Sequence, residues 1–447
     1  MSMTISLCSR ILTATGLICL LITPALAGAP GGVEGALERA SRAIDKDPGL
    51  ATETKEALKE LLNALEEERG RAAAPAAHAS TPATTATTAT ATATVLDRLD
   101  VYGDFRYRHE TNDTQGSPTR NRERIRMRLG ADYRLNDQLS IGGRVSTGSR
   151  TDAKSSHNTL GEGFHRFDIN LDRAFFDYRP SGAPGLWLKG GKFAHPFWKN
   201  PVYGEVLWDG DVQPEGGAVG YGLGGLGVLD SLDVTIGEYI LVEQALADEA
   251  TAFVAQLAGT KKLSEAWSAG AAVGLYHWSN LTPDGNTLLL DDNQGNATID
   301  DDGDDIADRF SSRFEVVNPI AALTYSGGQR PFTLAGEYIY NRKAASGRDS
   351  GWGLGAALGR ARAPGDWRLF YQYYELDEDA FFSVVAGDDT LRTTNARSHI
   401  FGLDYKVSEH FKPRLWGLVS RRLEQLSGDT DPTANDTRLR LDLNFSF

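Results

Sequence analysis

The sequence predicts an all-β fold, a transmembrane antiparallel β-barrel of about 16 strands preceded by a short periplasmic helical arm and a low-complexity linker. Three observations predict it. Short apolar–polar alternations recur from Leu99 to the last residue. The links between them run long and short in turn. The final segment keeps a strict period of two, with Leu439, Leu441, Leu443, Phe445 and Phe447 alternating with Arg440, Asp442, Asn444 and Ser446. A period of two sends the two sets to opposite faces of a strand. In a membrane barrel the apolar face meets lipid and the polar face meets the lumen.

The first element is an apolar run from Ile11 to Ile22, shorter than the roughly 20 residues a membrane helix needs. It follows Arg10 and precedes Ala25-Leu26-Ala27, a small-x-small cleavage site, so residues 1–27 read as a secretory signal peptide. A lipid anchor on Cys19 is disfavoured by the bulky Ile18 before it. Cys8 and Cys19 both lie in this segment, so the mature chain has no cysteine, no disulfide and no thiolate metal site.

Residues 28–71 read as a periplasmic arm. Leu37, Ile44, Ala51, Leu58 and Leu65 recur every seven residues, as in a short coiled-coil stripe. Asp47 and Thr54 weaken the seam and Pro48-Gly49 breaks it. A pair of short amphipathic helices and a self-associating coil therefore both remain open. Residues 72–95 are almost entirely Ala, Thr and Pro and read as a flexible tether.

The net charge of −14 is local. Asp284 to Asp308 holds nine aspartates and no Lys or Arg, and the rest is nearly balanced. No basic domain or aromatic–basic module supports nucleic-acid binding.

Residues 96–447 read as the barrel. Strands are expected to begin near Leu99, Arg122, Leu139, Asn170, Gly185, Glu215, Ser231, Ala250, Trp267, Phe314, Phe332, Gly351, Asp366, Arg397, Phe411 and Arg438. The long links include Glu110–Asn121, Arg150–Phe167, His195–Pro214, Asn280–Ser312, Leu376–Asn395 and Glu424–Asp436. Short turns on one rim and long loops on the other suit a membrane barrel, whose closure pairs every backbone group.

Strand two fixes the faces. Arg122, Arg124, Arg126 and Arg128 share one side; Ile125, Met127 and Leu129 share the other. Arginine facing lipid near the midplane costs roughly 2–4 kcal/mol each, so the arginine side is the lumen. Arg106, Arg108, Arg134 and Arg144 extend the wall across the first three strands. Such a wall guides anions, as rings of Arg or Lys do. Alternatively Asp104, Glu110, Glu123 and Asp132 neutralise it and leave a mixed field.

Several stretches resemble the Putative porin family of Gram-negative outer-membrane proteins. They are Tyr102-Gly-Asp-Phe-Arg-Tyr-Arg108, the arginine-rich second strand, Leu171-Asp-Arg-Ala-Phe-Phe-Asp-Tyr178, Gly190-Gly-Lys-Phe-Ala-His-Pro-Phe197 and Trp208-Asp-Gly-Asp-Val-Gln-Pro-Glu-Gly216. The resemblance implies an outer-membrane pore passing small hydrophilic solutes, set in lipid and lipopolysaccharide, and commonly a homotrimer. In similar porins the third outer loop folds inward and narrows the channel. Here that loop is His195–Pro214, and Asp209, Asp211 and Glu215 would face the arginines; an extracellular cap is the other reading. In similar proteins a terminal aromatic, here Phe447, is also part of the signal read by the barrel-assembly machinery.

Asp300, Asp302, Asp304 and Asp308 are candidate calcium ligands in an otherwise solvated acidic loop. The stretch Asp300–Asp308 resembles a thrombospondin type 3 calcium repeat, in which a glycine is usual where this sequence has Asp305. No other cofactor is implied. A hydrolase is disfavoured because adjacent Ser398 and His399 point to opposite faces of a strand and no G-x-S-x-G occurs. A structural or adhesive barrel tethered by the arm is the remaining alternative.

Overall fold

The computed structural model describes residues 96–447 except 205, 226, 246–247, 388 and 425–433. The expected signal peptide, arm and tether lie outside the described residues. The barrel has sixteen long strands: β1 Leu99–Asp113, β2 Arg120–Arg134, β3 Leu139–Thr147, β4 Ile169–Tyr178, β5 Leu186–Lys192, β6 Glu215–Gly224, β7 Ser231–Val242, β8 Ala250–Lys262, β9 Trp267–Ser279, β10 Glu315–Tyr325, β11 Phe332–Asn341, β12 Ser350–Gly359, β13 Trp367–Leu376, β14 Ala396–Tyr405, β15 Phe411–Arg422 and β16 Asp436–Ser446. Each begins within two residues of its expected start.

Every strand pairs antiparallel with its chain neighbours, and β16 returns to β1, from Asp104 opposite Ser446 to Asp113 opposite Thr437. Closure leaves no edge strand, so the ladder satisfies the backbone without water. The final residue extends it. Phe447 exchanges N–H···O bonds of 3.0 and 3.1 Å with Gly103. Its ring occupies the space a Cβ at Gly103 would need.

Polarity is inverted relative to a soluble sandwich. On β2, Met127 is 48% exposed and Leu129 41%, whereas Arg126 is only 6% exposed. Large apolar side chains thus coat the outside, as lipid requires, and charges turn inward. Glu123 is an exception: it sits at an odd position of β2, on the outer face, where His109 Nδ1 meets it at 2.6 Å. It therefore does not neutralise the lumenal arginines, contrary to the mixed-field reading.

The link after β1 is residues 114–119 only, shorter than expected, because β1 and β2 run on and pair to Asn112 opposite Arg120. The link after β3 carries a two-residue strand, Asn158–Thr159, which pairs with Arg124 and Ile125 of β2 and seats this loop against the arginine strand. In β4 the register shifts, so that Arg144 faces Arg173 while Val145 faces Leu171. The shift is a β-bulge, and it turns both Asp172 and Arg173 to partners inside the barrel.

Candidate functional site: a charged lumen crossed by a loop

The inner face of β1–β3 and β16 carries an interlocked ladder of arginines and acids. Alternation places Asp104, Arg106, Arg108 and Glu110 of β1 inward, level with the arginines of β2 on one side and Arg440 and Asp442 of β16 on the other. Asp104 takes Arg126 Nη2 and Arg128 Nε, both at 2.7 Å. Glu110, fully buried, takes Arg440 Nε at 2.5 Å and also Arg122. Asp442 takes Arg108 through two bonds of 2.6 and 3.0 Å. Arg106 Nε donates to Asn444 at 2.6 Å, and Arg144 pairs with Asp172. Such paired, charge-assisted bonds hold guanidinium groups rigid. Arg134 stands apart at the short-turn rim, exposed, and donates to the Asp97 carbonyl at 2.6 Å.

Arg124 differs from its neighbours. Its guanidinium donates to Ser155 Oγ at 3.1 Å and to the His157 carbonyl at 3.5 Å, and no carboxylate pairs with it among the described residues. His157 sits beside it, 8% exposed. Burial, then the charges of Arg108, Arg106, Arg126 and Arg124, push its imidazole far below the usual range, so it is neutral.

The third long loop, residues 193–214, lies inside the barrel. Gln256 of β8 clamps its backbone, accepting from Trp198 N–H at 2.7 Å and donating to Trp198 O at 3.2 Å. An Asn200 turn follows, with Oδ1 accepting from the N–H groups of Val202 and Tyr203 at 3.0 Å each. The loop then reaches β12 and β13, where Arg368 donates to Val202 O. It returns past Trp208, which stacks on His195 with centroids 4.4 Å apart. Finally it crosses to β2, where Asp211 meets Arg128 at 2.9 Å and Arg126 at 3.8 Å and accepts from Ser156 Oγ at 3.0 Å.

Glycine makes room for this path. A Cβ at Gly355 would lie 2.6 Å from Tyr203 Cδ1 and 2.8 Å from Val202 Cγ1; one at Gly270 would lie 2.8 Å from Trp198. The lumenal side of β12 is Gly351, Gly353, Gly355 and Ala357, a smooth track under the loop. The repeat Gly-Trp-Gly-Leu-Gly is visible in the sequence and is the signal that sequence reasoning missed.

Of the three expected loop acids, the geometry brings Asp211 to the arginines. Asp209 lines the same chamber as Asp211. Glu215 does not join them. It opens β6, exposed, and pairs with Lys192 at 2.7 Å.

Much of the opposite inner wall is apolar, which the rule of polar toward lumen does not anticipate. Tyr239, Ala250, Val254, Tyr276, Val316 and Ile339 point inward and are at most 1% exposed. They are covered by the third loop and by two others. Residues 380–386, inside the link between β13 and β14, are buried throughout. Phe382 sits 5.4–5.7 Å from Phe310, Phe314 and Trp278. Asp379, fully buried, ties this loop to the acidic one by accepting from Ala297 N at 3.0 Å and Ser312 Oγ at 2.6 Å. The apolar run Ala380-Phe-Phe-Ser-Val-Val-Ala386 was the missed signal here, because exposed loops seldom carry one.

Between loop and ladder lies a chamber of about 480 Å³. Seven arginines and two lysines line it against four aspartates.

In the acidic loop, Asp300, Asp302 and Asp304 bring one carboxylate oxygen each within 4.8 Å of the others. Asp308 is not one of this group; its carboxylate accepts from Asp301 N–H at 2.6 Å. Asp305, standing where a glycine is usual, adopts φ 68°, the left-handed conformation that favours glycine. The N–H of Gly303 bonded to Asp300 holds that carboxyl below the usual carboxylate range.

Residues 106–305 match the family model described as Putative porin. No curated protein sequence matches the chain. Among solved structures, OprB of Pseudomonas putida is 13% identical, with 79% of this chain and 95% of that one covered, at a TM-score of 0.52. OmpF of Salmonella typhi is 12% identical over 78% and 97%, at 0.46. A mutant of the Rh. blastica porin is 12% identical over 78% and 100%, at 0.43. At 13% identity the likeness to OprB is one of fold alone. The family match spans 200 of the 447 residues, and the chain that carries it closes into an antiparallel sheet of sixteen long strands.

Proposed function

We propose that the channel passes small hydrophilic solutes by passive diffusion and favours anions, with the third loop and the arginine ladder as its constriction. The observation that carries this reading is the excess of cations around the chamber, nine against four aspartates. A low-dielectric wall on the far side focuses that field across the remaining water. Asp211 set against Arg126 and Arg128 supports a transverse field at the narrowest level. The test is the reversal potential in a potassium chloride gradient across planar bilayers. The sign for chloride is expected; the sign for potassium would overturn the anion preference, and no conductance at all would favour a structural or adhesive barrel.

The same reading includes a homotrimer, a periplasmic arm and recognition of Phe447 by the assembly machinery, supported by resemblance to the family. Calcium in the acidic loop is a separate, minor proposal, supported by the approach of Asp300, Asp302 and Asp304. Titration calorimetry with calcium should give heat; none would retire it.

A further inference from the structure

We infer that the lumen holds a discrete oxyanion-binding subsite built on Arg124, Ser155 and His157. The inference rests on the anion-favouring reading above and narrows it to a place and a chemistry. Arg124 is 8% exposed, and its charge has no carboxylate partner among the described residues, whereas Arg108, Arg122, Arg126, Arg128 and Arg144 each have one. A buried charge without a counter-ion is costly, and a mobile anion in the chamber supplies one. Arg124 and His157 both line that chamber, as does Ser155.

The groups around it are donors. Arg124 Nε is buried without a hydrogen-bond partner, and so is His157 Nε2. The neutral imidazole can carry its proton on Nε2 and donate. Ser155 Oγ accepts from Arg124, which leaves its own proton free to donate outward. A guanidinium fork with two neutral donors fits a phosphate, sulfate or carboxylate better than chloride, because the planar fork matches paired oxygens. The backbone keeps the three together. The two-residue strand Asn158–Thr159 is bonded to β2 beside Arg124, and His157 N–H reaches Ser155 Oγ at 3.4 Å.

The subsite predicts saturable block. Inorganic phosphate added to a channel carrying chloride should lower the chloride current along a single-site curve. Arg124→Gln should weaken the half-blocking concentration about tenfold, the loss of one charge-assisted contact. Arg124→Lys, which keeps the charge and loses the fork, should fall between. Arg179→Gln, at a turn on the short-turn rim, should leave block unchanged. Migration of the unheated barrel in detergent gels shows that each variant is folded, and the lysine variant carries the test if the glutamine variant is not. Equal block in wild type and both Arg124 variants, with the reversal potential still of chloride sign, would overturn the subsite and leave the anion preference standing. A potassium-signed reversal potential would overturn both.

Discussion

The two sides of the lumen solve the same packing problem in opposite ways. From β1 to β3 and on β16, alternation delivers charge to the interior, and most of the inward guanidinium groups, Arg124 apart, are held by an acid from a neighbouring strand. From β7 to β12 it delivers tyrosine, alanine, valine and glycine, and three loops fold in to cover them. The charged side keeps its polar groups hydrated or paired; the apolar side excludes water by the same burial that builds a soluble core. On the proposed reading, solutes are thereby left one face to pass along.

That contrast can be broken from the apolar side first. Removing residues 197–212 takes away both the cover and Asp211, and single-channel conductance should rise severalfold; unchanged conductance would mean that the loop does not narrow the path. Phe382→Ala leaves a hole where its loop packs on the acidic loop and β9. It should lower stability by about 3 kcal/mol or more, read as earlier thermal unfolding, while the sign of selectivity stays the same. On the charged side, Asp104→Asn frees Arg126 and Arg128 from a shared carboxylate and should move the reversal potential further toward chloride. The smallest effect belongs to a pair outside the contrast. Glu215→Gln breaks an exposed bridge to Lys192, should change stability by less than about 0.5 kcal/mol, and should leave conductance as it was.

The strands were legible because period two is local: Leu99, Leu139, Glu215, Ala250, Trp267 and Phe411 begin strands where the alternation says they should. The inward arginines of β2 were legible for the same reason. Pairing was not. Glu110 and Arg440 are 330 positions apart and meet only because β16 closes on β1 in one register. Register depends on the whole circuit of strands, and no single strand encodes it. The bulge that turns Arg173 toward Gln213 breaks alternation and is invisible to it. The covered apolar wall depends on which loops fold inward, and glycines such as Gly355 gain meaning only beside Tyr203.

The most direct test places one cysteine on each side of the lumen, in a chain whose two native cysteines, Cys8 and Cys19, both lie ahead of the barrel. Arg414→Cys stands on the charged chamber wall, and Val254→Cys stands under the third loop, where the native valine is fully buried. The measurement is the rate at which a charged, thiol-specific reagent reduces the current through each channel. Fast, stepwise block is expected at position 414 and protection at position 254. Equal rates, or protection at 414 with reaction at 254, would contradict it.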